Sequence, residues 1–140
     1  MYELIYCSLA SRDLSADDIA DILNTARDYN SKNNITGCLL YHNNEFIQIL
    51  EGDRKIIKDL YTKIEKDKRH TGSTLLAEGE KEERTFTDWN MAFHKVTDDD
   101  VQDMGKKLFI NNFITFSDMV QKPTFAMILF WNLAKQLLEK

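Results

Sequence analysis

A chain of 140 residues with 43% apolar and 29% charged residues is large enough for one globular domain with its own core. Its net charge of -5 leaves no basic footprint, which argues against nucleic acid or an anionic membrane as a direct partner. The two cysteines, Cys7 and Cys38, lack metal-ligand or CxxC spacing and read as small buried residues in a reducing compartment. The opening MYELIYCSL has no secretory signal, and the apolar run Phe125 to Trp131 is too short to cross a bilayer. The expectation is a cytoplasmic protein without membrane contact.

The first predicted element is a strand, Tyr2 to Leu9. Ser15 with Asp18 three residues on forms a capping pattern, and Ile19, Ile22, Leu23 and Ala26 follow at helical spacing, so a helix should run to about Ser31. Two strands follow, Ile35 to His42 and Glu45 to Leu50, joined through Asn43-Asn44 as a tight hairpin. The segment DRKIIKDLYTKIEKDKR carries Ile56, Leu60 and Ile64 at four-residue steps, which predicts a second amphipathic helix. Thr74 to Glu78 and Asp88 to Val96 supply two more strands, joined by the charged stretch GEKEERTF. The predicted order is βαββαββ.

Both alternating faces of the first three strands are apolar, so the sheet must be covered on both sides. Two helices cover one face. The segment from Asp98 is the candidate for the other, with Asp98 to Asp100 as a helix start and Val101, Met104 and Leu108 at helical spacing. Pro123 should begin the last helix, which is apolar almost all round, so its apolar residues cannot all face one sheet and part of it should meet the preceding helix or another subunit.

Several polar groups interrupt these apolar patterns, and burying an unpaired amide or phenol costs on the order of 1 to 3 kcal/mol. Gln48 stands in FIQIL on the strand face of Phe46 and Leu50, with two donors and two acceptor lone pairs to offer a polar ring edge. Tyr6 shares a face with Leu4 and either packs or hydrogen-bonds through its phenol. Asn30 follows Ala26 by four residues and Leu23 by seven, on the core face of the first helix, although an Asn this late also suits a helix cap. With the first and third strands adjacent, Tyr6, Gln48 and Asn30 would surround a slot rich in donors and acceptors and without a nucleophile. Trp89 and Met91 share a strand face and read as either core or site residues.

Residues 1 to about 96 closely resemble the BLUF family of flavin-binding blue-light sensors. The resemblance lies in Tyr6-Cys7-Ser8, the helical Asn30, ITGCLLYHNNEFIQILEG, the helix end KDKRH and the WNM of the fifth strand. It implies a ferredoxin-like α+β domain over residues 1–96, with FAD held noncovalently between the first two helices. Residues 97–140 are then a helical cap on the other sheet face.

By the same resemblance Asn30 holds the pyrimidine edge of the flavin, and Gln48 bridges Tyr6 and the flavin N5/O4 edge. Asp67, Arg69 and His70 belong to the segment near its polar edge and ribityl side, although a solvated charged helix end is the plain alternative for Asp67 and Lys68. Tyr6 is the implied donor of an electron and a proton after blue-light absorption. Gln48 then rotates or tautomerises, giving a red-shifted state, and Trp89 or Met91 relays the change.

No catalytic output domain is expected in residues 97–140, so the implied output is light-dependent binding of an unknown protein partner or self-assembly into a homo-oligomer. Two other classes compete. An acylphosphatase-like enzyme is disfavoured because the first loop, SLASRDLS, has only Arg12 and no glycine-rich anion cradle, and a flavin reductase because no GxGxxG segment exists. A light-insensitive binding module is disfavoured by the retention of Tyr6, Asn30, Gln48 and Met91.

Overall fold

The structure is a computed structural model that describes residues 1–11, 14–42, 44–86, 92–95 and 124–139. Arg12, Asn43, Asp88, Trp89, Met91, Val96, Asp98 to Asp100, Val101, Met104, Leu108 and Pro123, all named from the sequence, lie outside the described residues.

The elements follow the predicted order: β1 (Tyr2–Ala10), α1 (Ala16–Lys32), β2 (Thr36–His42), β3 (Glu45–Gly52), α2 (Arg54–Glu65), β4 (His70–Glu80), β5 (Ala92–Lys95) and a C-terminal helix α3 (Phe125–Glu139). Helix α1 starts where its capping box dictates. The Asp18 amide donates to Ser15 Oγ at 3.1 Å and the Ser15 amide to Asp18 Oδ2 at 3.0 Å, satisfying two otherwise orphaned donors. Asp53 caps α2 by accepting from the Lys55 and Ile56 amides. The hairpin between β2 and β3 closes opposite His42 and Glu45, with Asn44 at a φ of 66°, a conformation Asn tolerates better than most residues.

The main departures from the sequence expectation are at the end of α2 and in the length of β4. Helix α2 stops at Glu65, and residues 66–69 form a turn in which Asp67 Oδ1 accepts from the Arg69 amide at 2.9 Å. A carboxylate bonding its own backbone two residues on competes with helix continuation. Strand β4 begins at His70 instead of Thr74 and runs through Glu80, because β1 presents an open edge that pairs with it from Ala10↔His70 to Tyr2↔Glu80. Pairing, not hydrophobic pattern, sets its length.

The sheet order is β4-β1-β3-β2-β5, so β1 and β3 lie at the centre, antiparallel to each other. The first four strands pair antiparallel, and β5 adds to β2 in parallel. Glycine at position 37 is needed where β2 meets β3: a Cβ there would sit 2.0 Å from the Ile49 carbonyl oxygen.

Each face has its own core. Leu4, Tyr6, Leu39, Phe46 and Leu50 pack under α1 and α2 with Ile19 and Ile57. Ile5, Cys38, Leu40, Ile47 and Ile49 pack on the opposite face with Phe86 and with Ala126 and Phe130 of α3. The two-sided covering read from the strands is therefore met by two helices on one face and a C-terminal helix on the other. Phe125 and Ile128 of α3 remain exposed at 72% and 45%.

Candidate functional site

A cleft of about 210 Å³ opens between α1 and α2 above the central strands. Its floor is the pair Tyr6 and Gln48, directly opposite each other in the β1/β3 register. The Tyr6 phenol donates to Gln48 Oε1 in a short hydrogen bond. Both side chains are almost fully buried. Strand alternation places them on the cleft face with Leu4, Phe46 and Leu50, and the antiparallel register joins them.

Asn30 lines the same cleft from α1 and is 1% exposed. Its position is helical, not capping. Asn33 is the C-cap, and the Asn30 carbonyl accepts the Asn33 and Ile35 amides at 3.2 and 2.9 Å. The side chain thus enters the cleft as part of the helix face that packs on the sheet, where both ends of an amide must find partners.

The turn after α2 brings Asp67, Arg69 and His70 to the cleft wall. The Arg69 guanidinium binds Asp67 through Nε and Nη2, at 3.0 and 2.5 Å. This pair holds the Asp67 carboxyl below the ordinary carboxylate range against the opposing effect of partial burial. The turn is tied to the end of β1, where the Ser11 amide and hydroxyl donate to the Arg69 and Lys68 carbonyls at 3.0 and 2.7 Å. The His70 ring stands edge-on to Phe46 with centroids 6.0 Å apart, and burial lowers its pKa, partly opposed by Asp67.

The phenol of Tyr6 is pushed well above its ordinary value, chiefly by burial and further by Tyr61 and Asp67. It is therefore protonated at neutral pH and donates. Such a phenol parts with its proton readily only when it also loses an electron, and Gln48 lies against it as a neutral acceptor. The site has a redox-capable donor and a reversible amide. Among the described residues it holds no nucleophile paired with a base, and no group of His, Cys, Asp and Glu is placed to hold a metal ion.

Three further residues belong to this region: Ser8, named from the sequence only within the Tyr6-Cys7-Ser8 match and given no role there, and Lys63 and Tyr29, which the sequence did not single out. Ser8, two residues after Tyr6 on the same strand face, lines the cleft, and its buried hydroxyl has no hydrogen-bond partner among the described residues. The period-two spacing from Tyr6 was the available signal. Lys63 of α2 stands over the Tyr29 ring of α1, 4.7 Å from its centroid, so a cation and an aromatic ring bridge the two helices beside the cleft. No periodicity announces a contact between separate helices. Trp89 and Met91 remain expectations from the resemblance alone.

A family model described as sensors of blue-light using FAD, BLUF, matches residues 1–92. The β subunit of photoactivated adenylate cyclase from Euglena gracilis is 37% identical over 89 residues, covering 63% of this chain and 10% of that protein. This chain therefore corresponds to about a tenth of the length of such curated relatives. Among solved structures, the photo-activated state of BlsA superposes with a TM-score of 0.67 at 30% identity, covering 99% of this chain and 95% of that one. The dark state of BlrB, a BLUF protein, superposes with a TM-score of 0.69 over 96% of both chains, and at 24% identity it supports the fold alone.

Proposed function

The chain belongs to the BLUF family of blue-light sensors that use FAD, and from that premise we propose that the cleft between α1 and α2 holds the flavin and that Tyr6 and Gln48 carry its light response. The observation that carries this reading is the Tyr6 to Gln48 hydrogen bond at the cleft floor, with the buried amide of Asn30 beside it.

The residues present fit the cofactor. A flat ring with a polar edge needs apolar walls and a few buried hydrogen-bonding groups, and the cleft offers Ile22, Leu39 and Phe46 with Asn30, Gln48 and the hydroxyl of Ser8, which has no partner among the described residues. When bound, the flavin supplies blue-light absorption and an excited state able to oxidise a nearby phenol.

Each protein group then has a defined task. Asn30 binds the pyrimidine edge through its amide, which presents a donor and an acceptor together. Ser8 and the turn carrying Asp67, Arg69 and His70 hold the polar side of the ligand. Tyr6 keeps its proton until it gives up an electron. Gln48 accepts from Tyr6 through Oε1 in the dark, so its NH₂ end is directed away from the phenol. Rotation or tautomerism of the amide exchanges the donor and acceptor ends without creating a charge and leaves a new arrangement of hydrogen bonds around the cofactor. Trp89 and Met91, which precede β5 in the sequence, transmit that change.

The output is altered contact with a protein partner or with further copies of this chain, in a homo-oligomer within the cytoplasm. Within residues 97–140, helix α3 acts as a cap on the sheet, and the role of the segment is contact, not catalysis. Among the described residues no helix is long and apolar enough to cross a membrane.

The deciding experiment is the absorption spectrum of the purified protein in the dark and after blue light. A flavin spectrum that moves reversibly to the red supports the reading. A colourless protein that also refuses added FAD removes it.

A further inference from the structure

Four charged side chains, Glu3, Glu51, Lys81 and Arg84, meet at the end of the sheet remote from the hairpin turn and take no part in the cleft. Glu51 is fully buried and Glu3 is 2% exposed, on neighbouring strands in direct register. Burying two carboxylates side by side is costly unless cations and donors compensate. Here the segment that follows β4 supplies them.

Lys81 Nζ lies 2.5 Å from Glu51 Oε2 and 2.9 Å from Glu3 Oε2, the latter an ion pair without hydrogen-bond geometry. Glu51 Oε1 accepts from Thr36 Oγ1 at 2.7 Å and from the Phe86 amide at 2.6 Å, and Oε2 accepts from the Thr85 amide at 2.9 Å. Arg84 closes the cluster by donating to Thr36 Oγ1, to the Glu51 carbonyl and to the Asn34 carbonyl, at 2.9, 3.3 and 2.5 Å. One carboxylate thus pins residues 81–86 across the ends of β2 and β3.

The pinned segment ends in Phe86, which is 2% exposed and meets Phe130 of α3 edge to face, with centroids 6.5 Å apart and planes at 82°. Strand β3 therefore carries Gln48 on its cleft face and, three residues on, Glu51 on the face that seats α3. We infer that Glu51 is a positioning residue that couples β3 to the seat of the C-terminal helix, through the amides it holds at Thr85 and Phe86 and through the Phe86 to Phe130 contact. Its regulatory meaning rests on the photoreceptor reading, because that reading makes Gln48 the origin of a change in β3.

The test is hydrogen exchange read by mass spectrometry on the full chain with FAD bound, in the dark and under blue light. In the dark, Glu51→Gln is expected to speed exchange about tenfold in residues 82–86 and in residues 124–139, with the flavin absorption unmoved. Lys81→Met reproduces this loss and Lys81→Arg restores slow exchange. Under light, Glu51→Gln keeps the red shift of the flavin but loses most of the light-dependent change in residues 124–139. Should Glu51→Gln fail to fold, Thr36→Val removes a single donor to the same carboxylate and gives a smaller effect in the same two segments. The inference is overturned if residues 82–86 loosen while 124–139 exchange at the wild-type rate in the dark, or if the full light response of α3 survives in Glu51→Gln. A wild-type protein without any red shift defeats the photoreceptor reading alone, since the dark comparison still decides the coupling.

Discussion

Tyr6 and Gln48 face each other across the central strand pair, and the Tyr6 phenol donates its hydrogen bond to the Gln48 side-chain oxygen. Strand register, not sequence proximity, makes this contact, across 42 positions of the chain. Tyr6→Phe keeps the ring packing and removes the donor; Gln48→Leu keeps the volume and removes the acceptor. Both variants are expected to bind yellow flavin and to lose the light-induced red shift. A normal shift in either purified protein, read by visible absorption, would refute the assignment.

Asn30 tests retention instead of photochemistry. Asn30→Ala leaves the opposite polar edge without its buried partner, at a cost of about 1 to 3 kcal/mol, so FAD affinity should fall roughly tenfold to a hundredfold. Fluorescence titration of the flavin-free protein measures it. Unchanged affinity would return Asn30 to a purely structural place in α1.

His70 predicts a pH dependence. Burial holds its folded pKa below the ordinary 6.5, so the unfolded chain binds a proton more readily than the folded one. Stability therefore falls as pH drops below about 6.5 and continues to fall until the folded imidazole also protonates. Asp67, whose pKa is lowered by Arg69, adds its own loss only in the acid range below 3.8. Urea midpoints of wild type and His70→Gln across pH 7.5 to 5.5 should show a shallower decline in the variant; parallel declines would exclude His70 as the source.

Gly37→Ala is expected to destabilise the protein by more than about 2 kcal/mol, because its Cβ would meet the Ile49 carbonyl oxygen within the β2/β3 ladder, where backbone must shift. Gly79→Ala, with nothing within 4 Å of the new carbon, is the matched control and should stay near wild type. Denaturant unfolding of the two variants compares them directly.

Phe130→Ala opens a cavity beneath α3, and truncating a fully buried Phe typically costs about 3 to 5 kcal/mol. Unfolding monitored by circular dichroism should show that loss. A cost below about 1 kcal/mol would mean that α3 does not share the core of the sheet.

Sequence by itself determined the elements whose causes are local. The Ser15 and Asp18 pair started α1, the Asn43-Asn44 step allowed a two-residue hairpin, and apolar residues on both faces of β1, β2 and β3 required cover on both sides. The ends of α2 and β4 escaped it, because a side chain bonding its own turn and an open β1 edge outweighed residue pattern.

Residue pattern and the resemblance both led to Tyr6, Asn30 and Gln48 around one slot on the condition that the first and third strands are neighbours, and tertiary structure decided that adjacency. It also joined Lys63 to Tyr29 across two helices and gathered Glu51, Lys81 and Arg84 into one buried cluster. In the sequence Glu51 is a charge at a strand end, indistinguishable from a solvated one. Burial of a charge depends on which distant groups arrive to compensate it, and that is a property of strand order and register.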